Sequence, residues 1–210
     1  MKELMLSNGG VVNVMTGIVL ASGFSRRMGK EKLLLKVKGI PMVERVIMAA
    51  RSSHLDELIL IYQRDEIRGL AKKHGIKAVY NQHADEGQSA AVKLGVKSSH
   101  PDTDGFMFFV GDQPYLDSST INKLIALFRR DRTNIVVPLY NSTRGNPVIF
   151  PATAKKYLLK LKGDSGGRSI IEEMSDSLKL VKIENSTVGT HIDTQEEYEN
   201  IQELNCKSIA

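Results

Sequence analysis

A short basic loop follows the first apolar run of the chain, and its residue types suit the binding of an anion. Residues 20–32 read LASGFSRRMGKEK, so the small residues Ala21, Ser22 and Gly23 come directly before a basic stretch. Small residues allow backbone N–H groups to approach a phosphate, and nearby cations neutralise its charge. The cations of the loop are Arg26, Arg27, Lys30 and Lys32. A triphosphate would fit this arrangement, although a solvent-exposed basic turn would have the same composition.

Two common phosphate-binding motifs do not match this loop. A dinucleotide fingerprint needs glycines in the pattern G-x-G-x-x-G, whereas five residues separate Gly23 from Gly29. A Walker A loop needs a serine or threonine after its lysine, and here Glu31 follows Lys30. If the loop binds a triphosphate, it therefore does so as a different class of site.

An acid follows a strongly apolar segment, where a metal ligand for a triphosphate would be expected. Residues 105–110 read GFMFFV, and the tetrapeptide GDQP comes next at 111–114. Magnesium bound to a triphosphate usually takes one or two protein carboxylates in addition to phosphate oxygens. Asp112 is thus a candidate magnesium ligand, and the tendency of Asp, Gly and Pro to form turns is compatible with that role.

A second acid, Asp193, lies in the segment HIDTQEEY at 191–198 and is a further candidate metal ligand. Its alternative role is to begin a helix. Either Asp193 or Thr194 could be the N-cap, and Thr194 with Glu197 matches a capping box. His191 precedes Asp193 by two residues, so it could support a metal ligand or simply end a strand.

Apolar segments alternate with helical patterns along the first two-thirds of the chain. The apolar residues are consecutive rather than alternating, which is typical of strands buried on both faces of a parallel sheet. Strands are predicted at 14–21, 57–62, 76–80, 105–110 and 134–140, and helices at 41–53, 64–74, 88–98 and 117–130. The predicted fold class is α/β, a doubly wound, mostly parallel sheet with helices on both faces in a Rossmann-like arrangement.

The pattern changes after about residue 140, which predicts a small C-terminal elaboration. We expect a strand at 146–150, helices at 152–161 and 168–174, a strand at 178–183 and a final helix after Asp193. No linker separates the two parts. We therefore predict one domain over residues 13–205, preceded by a flexible leader over 1–12.

The composition restricts the class of protein. The chain has 210 residues, 41% apolar and 25% charged, as in soluble globular proteins, and its one cysteine rules out an internal disulfide. No segment approaches the roughly 18 consecutive apolar residues of a membrane helix, and the N-terminus lacks the apolar core of a signal peptide. A cytoplasmic protein without a membrane partner is predicted. The net charge of +5 is spread along the chain, which favours a phosphorylated small molecule over nucleic acid.

Together these segments resemble the nucleotidyltransferases of the molybdopterin-cofactor family, in the nucleotide-diphospho-sugar transferase-like superfamily, and most closely the molybdenum cofactor cytidylyltransferases. The matching segments are LASGFSRRMGKEKLLL at 20–35, NQHADEGQSAAVKLG at 81–95, GDQP at 111–114, RGNPVIF at 144–150, GDSGGR at 163–168 and HIDTQEEY at 191–198. They occur in the order of the family and span nearly the whole chain. RGNPV and GDSGGR are typical of the molybdopterin branch.

The resemblance implies roles for individual residues. The implied nucleotide-binding residues are Leu20, Ala21, Ser22, Gly23, Arg27, Lys32, Gly87, Gln88, Ser89 and Asp112. Of these, Arg27, Lys32 and Asp112 would be catalytic, and Asp112 and Asp193 would coordinate Mg²⁺. The implied acceptor-binding residues are Arg144, Gly145, Asn146, Pro147, Gly166, Gly167 and Arg168.

The implied reaction transfers CMP from CTP to the phosphate of the molybdenum-molybdopterin cofactor and releases pyrophosphate, with a recipient molybdoenzyme as a partner for the product. The guanylyltransferase branch usually reads Ala-Gly-Gly where this chain has Ala21-Ser22-Gly23, which favours cytidine. Three alternatives remain: a guanylyltransferase on the same cofactor, an NTP transferase for a sugar or alcohol phosphate, and a non-catalytic nucleotide-binding carrier of the cofactor. The two acids favour an enzyme, because simple binding has less need of a paired metal site.

Overall fold

An eight-stranded, mostly parallel sheet forms the centre of the molecule. The structure, a computed structural model, describes residues 13–23 and 32–207, with side chains described up to residue 202. The strands are β1 (Val14–Ala21), β2 (Lys36–Val37), β3 (Ile40–Pro41), β4 (Glu57–Tyr62), β5 (Lys77–Tyr80), β6 (Thr103–Val110), β7 (Ile135–Tyr140), β8 (Thr143–Arg144), β9 (Val148–Pro151) and β10 (Leu178–Ile183). The helices are α1 (Met42–Arg51), α2 (Asp65–His74), α3 (Gln88–Ser98), α4 (Ser118–Phe128), α5 (Lys155–Leu158), α6 (Arg168–Glu173) and α7 (Gln195–Lys207).

The order of the strands brings the predicted functional segments to one edge of the sheet. The order is β10-β7-β9-β6-β1-β4-β5, with β8 paired to β7, and β1 runs parallel to both of its neighbours, β4 and β6. Strand β9 is antiparallel between β6 and β7. Leu20 at the end of β1 lies beside Val110 at the end of β6, so the loop after β1 and the GDQP tetrapeptide begin side by side. The predicted fold class is confirmed.

Two apolar cores cover the two faces of the sheet, which explains the continuous apolar runs. In β6, Met107 and Phe109 belong to one core, whereas Phe106 and Phe108 belong to the other. Because successive side chains of a strand point to opposite faces, each face needs its own layer of helices. The first core includes residues of α1, α2 and α4, and the second includes residues of α3, α5 and α6.

A third, small core joins the two chain segments that carry Lys32 and Asp193. Val37, Met42 and Ile192 are buried together, and Tyr198 packs against them. The Tyr198 hydroxyl and the Gln202 side-chain amide both donate hydrogen bonds to the Lys36 carbonyl, at 2.9 and 2.6 Å. Helix α7 is therefore held against the β2–β3 hairpin, which directly follows the 3-10 turn Lys32–Leu34.

The structure differs from the sequence predictions mainly in short elements. The helix predicted over 152–161 is a 3-10 turn, Ala152–Ala154, followed by the four-residue α5. The chain leaves the helix after Leu158 because Leu161 is buried in the second core and Gly163, with φ of 57°, begins the glycine-rich loop. The predicted leader, 1–12, lies outside the described residues. Within 13–23 and 32–207, no helix has the length and apolarity to cross a membrane.

Candidate functional site

One ammonium group joins the basic loop to both predicted acids. Lys32 Nζ lies 2.8 Å from Asp112 Oδ2 and 2.7 Å from Asp193 Oδ1. The Lys32 and Asp112 side chains are largely buried, at 13% and 18% exposed, while the Asp193 side chain is 49% exposed. We call Lys32, Asp112 and Asp193 the Lys32 cluster. It is assembled from three chain segments that lie far apart in sequence.

Local structure explains why the cluster forms. Asp112 follows β6 by one residue, so its carboxylate lies at the edge where β1 also ends. A Cβ at Gly111 would lie only 3.1 Å from the Leu33 side chain, so a glycine here allows the Lys32–Leu34 turn to pack closely. The Ile192 N–H donates to the Asp112 carbonyl at 3.2 Å, which fixes the 191–193 segment beside GDQP.

The hydrogen bonds of the capping box show whether Asp193 or Thr194 is the N-cap of α7. Glu197 Oε2 accepts from the backbone N–H groups of Asp193 and Thr194, at 2.6 and 3.0 Å, and Thr194 Oγ1 accepts from Glu197 N–H at 3.2 Å. Thr194 is thus the capping side chain. The Asp193 carboxylate bonds to Lys32 instead of the helix.

His191 and Gln113 support the buried acid from its other side. His191 Nδ1 lies 3.2 Å from Asp112 Oδ1, and Gln113 Nε2 lies 3.1 Å from His191 Nε2. When the Gln113 amide donates to Nε2, His191 carries its proton on Nδ1 and donates it to Asp112. Gln113 is fully buried and also donates to the Gly189 carbonyl at 3.3 Å. The sequence left open whether His191 supports a metal ligand or ends a strand, and in the structure it bonds to Asp112. Gln113 was not predicted, because its only signal was its position next to Asp112.

The charges of the Lys32 cluster reinforce one another. Burial by itself would lower the pKa of Lys32, but Asp112 and Asp193 outweigh it, so the pKa is raised. Burial would raise the pKa of Asp112, but the hydrogen bond from His191 and the charge of Lys32 outweigh it, so the pKa is lowered. The pKa of His191 is raised, chiefly by its hydrogen bond to Asp112. At neutral pH Lys32 is therefore an ammonium and Asp112 a carboxylate.

Two carboxylates aimed at one cation are a donor set that suits Mg²⁺. Magnesium prefers oxygen ligands and is commonly held by one or two carboxylates together with waters and substrate phosphates. No group of three or more His, Cys, Asp or Glu side chains that could hold a metal ion occurs in the part of the chain that the structure describes. Asp112 and Asp193 could hold Mg²⁺ together with waters or substrate phosphates.

The predicted nucleotide-binding turn lies at the end of β1. Leu20 and Ala21 are the last residues of the strand, and Ser22 and Gly23 follow it. Ser22 is 5% exposed, and its hydroxyl is hydrogen-bonded to the side chain of Asn81, which follows β5. The predicted Arg27, like Arg26 and Lys30, lies outside the described residues.

The segment Gly87–Gln88–Ser89 begins α3 and is packed against the GDSGGR loop. Gly87 has φ of 90°, and a Cβ there would lie 2.5 to 2.7 Å from Asp164 Oδ1 and the Gly163 backbone. Asp164 Oδ1 accepts from Gln88 N–H at 3.3 Å, and the Gly163 carbonyl accepts from Ser89 N–H at 3.0 Å. Only glycine fits at position 87, and the contact joins predicted nucleotide residues to a predicted acceptor loop.

A cavity of about 600 Å³ opens at this contact and contains most of the predicted acceptor residues. Its walls combine apolar side chains, among them Phe108 and Phe150, with polar ones, among them the acids Asp164 and Glu172. The predicted residues that line it are Leu20, Gln88, Arg144, Gly145, Asn146, Gly166, Gly167 and Arg168. Pro147 is buried next to the cavity but does not line it. We call this space the arginine cavity, after Arg144 and Arg168.

Tyr140 connects the arginine cavity to the segment that carries His191. Its hydroxyl donates to the Asn146 carbonyl at 2.8 Å. Its ring packs so closely against Gly145 and Gly189 that a Cβ at either glycine would collide with it. Sequence reasoning treated Tyr140 only as the end of a strand, because nothing in a single sequence shows which loops will meet at its ring.

Comparisons with known proteins show the family to which the chain belongs. A family model described as the MobA-like NTP transferase domain matches residues 17–178. The chain is 31% identical to the purine catabolism protein PucB of Bacillus subtilis over 89% of this chain and 95% of that protein. It is 29% identical over 59% of its length to a Natranaerobius thermophilus protein named "probable molybdenum cofactor guanylyltransferase", of which 60% is covered.

Solved structures share the fold of this chain over nearly its whole length. Rv0371c of Mycobacterium tuberculosis superposes with a TM-score of 0.79 at 25% identity, covering 91% of this chain and 98% of that one. A second structure of Rv0371c, in complex with manganese, has a TM-score of 0.74 at 24% identity and covers 90% and 98% of the two chains.

Proposed function

We propose that this chain transfers CMP from CTP to the phosphate of a molybdenum-molybdopterin cofactor. The chain belongs to the family of MobA-like NTP transferase domains and is a nucleotidyltransferase of that family. The observation that carries the proposal is the Lys32 cluster beside the arginine cavity. The cluster offers charges suited to a polyphosphate, and the cavity, which is lined by Val110 two residues before Asp112, offers two exposed arginines suited to an organic phosphate.

The reaction needs no protein nucleophile. A phosphate oxygen of the acceptor attacks the α-phosphorus of CTP, a new phosphorus–oxygen bond forms, and the bond between the α-phosphorus and the bridging oxygen breaks. The bonding electrons and the negative charge leave with pyrophosphate. Because the attacking phosphate is already ionised at neutral pH, the enzyme has mainly to align the two reactants and to neutralise their charges.

The described residues divide these tasks between them. The Lys32 ammonium would bind the triphosphate, as its raised pKa keeps it charged at neutral pH. Asp112 and Asp193 would hold Mg²⁺, and His191 and Gln113 would keep the Asp112 carboxylate oriented. When bound, Mg²⁺ would shield the α-phosphate from the like-charged acceptor and stabilise the departing pyrophosphate. Arg27 would add a second cation to the triphosphate site.

The choice of acceptor rests on the arginine cavity and on the resemblance of RGNPV and GDSGGR to the molybdopterin branch. Arg144 and Arg168 would bind the acceptor phosphate, since guanidinium groups form paired hydrogen bonds with phosphate oxygens. Gly145 and Gly167 let their loops pack against the rings of Tyr140 and Phe150, where a Cβ would lie 2.6 and 2.4 Å from the ring. The likeness to a molybdenum cofactor guanylyltransferase supports the same acceptor. The product would pass to a recipient molybdoenzyme in the cytoplasm.

The choice of CTP over GTP rests on Ser22, where the guanylyltransferase branch usually has glycine. A guanylyltransferase acting on the same cofactor is the nearest rival, and the guanylyltransferase relative favours it. The similarity to PucB, over nearly the whole of both chains, does not distinguish the two bases.

Thermal unfolding with each nucleoside triphosphate, with and without Mg²⁺, tests the proposal. A ligand that binds only the native state raises the unfolding temperature. We expect CTP with Mg²⁺ to stabilise the protein more than GTP, ATP or UTP does. Greater stabilisation by GTP would assign the guanylyl reaction instead, and no stabilisation by any nucleotide would contradict a nucleotidyltransferase site. A carrier without activity would bind nucleotide but release no pyrophosphate when the acceptor is added.

A further inference from the structure

Asn81 is buried between the loops that follow β1 and β5. It is 2% exposed, and its backbone N–H donates to the carbonyl of Tyr62 at the end of β4, at 2.7 Å. Its side chain makes two further hydrogen bonds. Nδ2 lies 2.9 Å from the Ser22 hydroxyl, and Oδ1 lies 3.2 Å from the backbone nitrogen of His83. A single side chain thus joins the predicted nucleotide-binding turn to the loop that leads to Gly87.

The contact with His83 fixes which way the Asn81 amide faces. A backbone N–H can only donate, so the atom opposite His83 must be the carbonyl oxygen, Oδ1. The amide nitrogen then necessarily faces Ser22. Because that nitrogen can only donate, the Ser22 oxygen must be the acceptor of the 2.9 Å hydrogen bond.

Because Ser22 accepts the hydrogen bond from Asn81, the proton of its own hydroxyl is not used in that bond. A hydroxyl has one proton to donate and two lone pairs that accept, and here Asn81 uses a lone pair. Within 13–23 and 32–207, no side chain or carbonyl accepts a hydrogen bond from Ser22 Oγ. A buried hydroxyl whose proton is unused is costly unless a ligand takes it. Phosphate, ribose and cytosine all present acceptor oxygens.

We propose that Asn81 is a positioning residue that commits the Ser22 hydroxyl to donate its proton to an acceptor oxygen of the bound nucleotide. This inference rests on the proposed function, because it needs a nucleotide at the turn after β1. Ser22 is the residue that touches the nucleotide, and Asn81 acts through it. The amide of Asn81, locked by His83, selects the direction of the Ser22 hydrogen bond.

The substitution Asn81→Asp separates this role from a purely structural one. Aspartate accepts hydrogen bonds at both oxygens, so it would still accept from His83 and would now accept the Ser22 proton as well. Ser22 would remain tied to position 81, but its lone pairs would face the nucleotide. If the contact only stabilises the loop, Asn81→Asp is milder than Asn81→Ala, which removes the contact altogether. If Asn81 sets the polarity of Ser22, the order is reversed.

The dissociation constant of CTP, measured by calorimetry with Mg²⁺, gives the required comparison. We expect it to rise about 3-fold in Asn81→Ala, about 10-fold in Ser22→Ala and about 100-fold in Asn81→Asp, the scale of hydrogen bonds to neutral and charged groups. Asn122→Ala is the matched control. Its side-chain oxygen likewise accepts from a backbone N–H, that of His54, but it lies in α4, and CTP binding should not change.

A double variant separates the effect of the new charge in Asn81→Asp from the effect on the Ser22 hydroxyl. In a Ser22→Ala background, the cost of Asn81→Asp should shrink about 10-fold, because no hydroxyl is left to reverse. An equal cost in both backgrounds would overturn the proposal, as would wild-type affinity in Asn81→Asp. If Asn81→Asp does not fold, the Ser22→Ala and Asn81→Ala pair decides. Adding Asn81→Ala to Ser22→Ala should cost nothing further, and additive costs would overturn the proposal.

A parallel titration with inorganic tripolyphosphate shows which part of the nucleotide accepts the Ser22 proton. Weaker tripolyphosphate binding in Ser22→Ala would identify a phosphate oxygen, whereas a loss seen only with CTP would identify the base or ribose. Unchanged binding of both ligands would contradict the proposal. The failure of the proposed function is distinguishable, since the wild-type protein itself would then fail to bind CTP.

Discussion

The Lys32 cluster and the arginine cavity lie at the same edge of the sheet but are built in opposite ways. The cluster consists of charged side chains in contact at 2.7 to 2.8 Å, drawn from three distant segments and supported by His191. The cavity has mixed apolar and polar walls and glycine-containing loops, and its two arginines are exposed. Under the proposed function, the cluster neutralises the charge of any nucleoside triphosphate, whereas the cavity matches one acceptor. Substitutions in the two regions should therefore affect different steps.

The largest effect is expected from Asp112→Asn. The substitution removes the negative charge that is held between Lys32 and His191, while the shape of the side chain is kept. We expect turnover to fall at least about 100-fold, the scale of removing a group that stabilises charge in the transition state. Steady-state pyrophosphate release measures the loss. Asp104→Asn, at the far end of the same strand, is the control and should retain wild-type turnover. Near-normal activity of Asp112→Asn would remove this residue from the reaction centre.

Lys32→Ala is expected to weaken binding of the nucleotide more than it weakens binding of the acceptor. It removes the only cation that lies between Asp112 and Asp193 among the described residues, so their charges would repel both each other and the triphosphate. We expect the dissociation constant of CTP to rise about 30-fold, the scale of losing a charge-assisted contact. Titration calorimetry measures it, with Lys36→Ala as a nearby control. An unchanged CTP titration would refute the role of Lys32 in binding triphosphate.

Arg168→Ala tests the other side of the comparison. Arg168 is exposed at the first residue of α6 and lines the arginine cavity. We expect KM for the acceptor to rise about 10-fold, while CTP binding stays within about 2-fold of wild type, as expected for one lost phosphate contact. Exposed Lys155 on α5 lies outside the cavity lining, so Lys155→Ala should change neither quantity. A loss of CTP affinity in Arg168→Ala would show that the two regions do not have separate roles.

The smallest effect concerns stability, at ion pairs that include no residue of either region. Glu44 in α1 is buried and bonds to Lys73 and His74 of α2, at 2.6 and 2.8 Å. Burial would raise the pKa of Glu44, but the bonds to Lys73 and His74 lower it below 4.5. Its stabilising contribution is therefore present above about pH 4.5 and is lost as the pH falls through the lowered pKa. We expect Glu44→Gln to lower the free energy of unfolding by about 1 kcal/mol at pH 7, because Lys73 is exposed to solvent.

Urea unfolding at several pH values checks this last prediction. The difference between wild type and Glu44→Gln should shrink as the pH falls below 4.5 and should vanish once Glu44 is protonated in both states. Turnover at pH 7 should be unchanged. A constant difference at all pH values would mean that Glu44 stabilises the protein by packing rather than by charge.

The sequence predicted the regular elements well because consecutive apolar residues identify strands buried on both faces. Strands β1 and β4, helix α3 and strand β10 have the predicted bounds. The two-residue strands β2, β3 and β8 are too short to leave a periodic signal. The predicted 152–161 helix was too long because its end depends on the burial of Leu161, which is a tertiary contact.

The candidate site could be predicted only where a residue type indicates chemistry by itself. Charged Lys32, Asp112 and Asp193 were predicted as individual residues, and the fold explains how they meet. Gln113, Tyr140 and Asn81 could not be predicted, because each acts through a contact made by folding. Uncharged polar side chains of this kind have no distinctive spacing in a single sequence. The roles of the glycine-containing segments remain predictions to be tested with ligands.

The central claim is that the Lys32 cluster activates CTP for attack by a phosphate in the arginine cavity. The most direct measurement is pyrophosphate release with molybdenum-molybdopterin cofactor as acceptor, for CTP and GTP in turn, with and without Mg²⁺. We predict release that requires the acceptor and Mg²⁺, is faster with CTP, and is nearly abolished by Asp112→Asn. Release by Asp112→Asn at the wild-type rate, or no release with either nucleotide, would contradict the account.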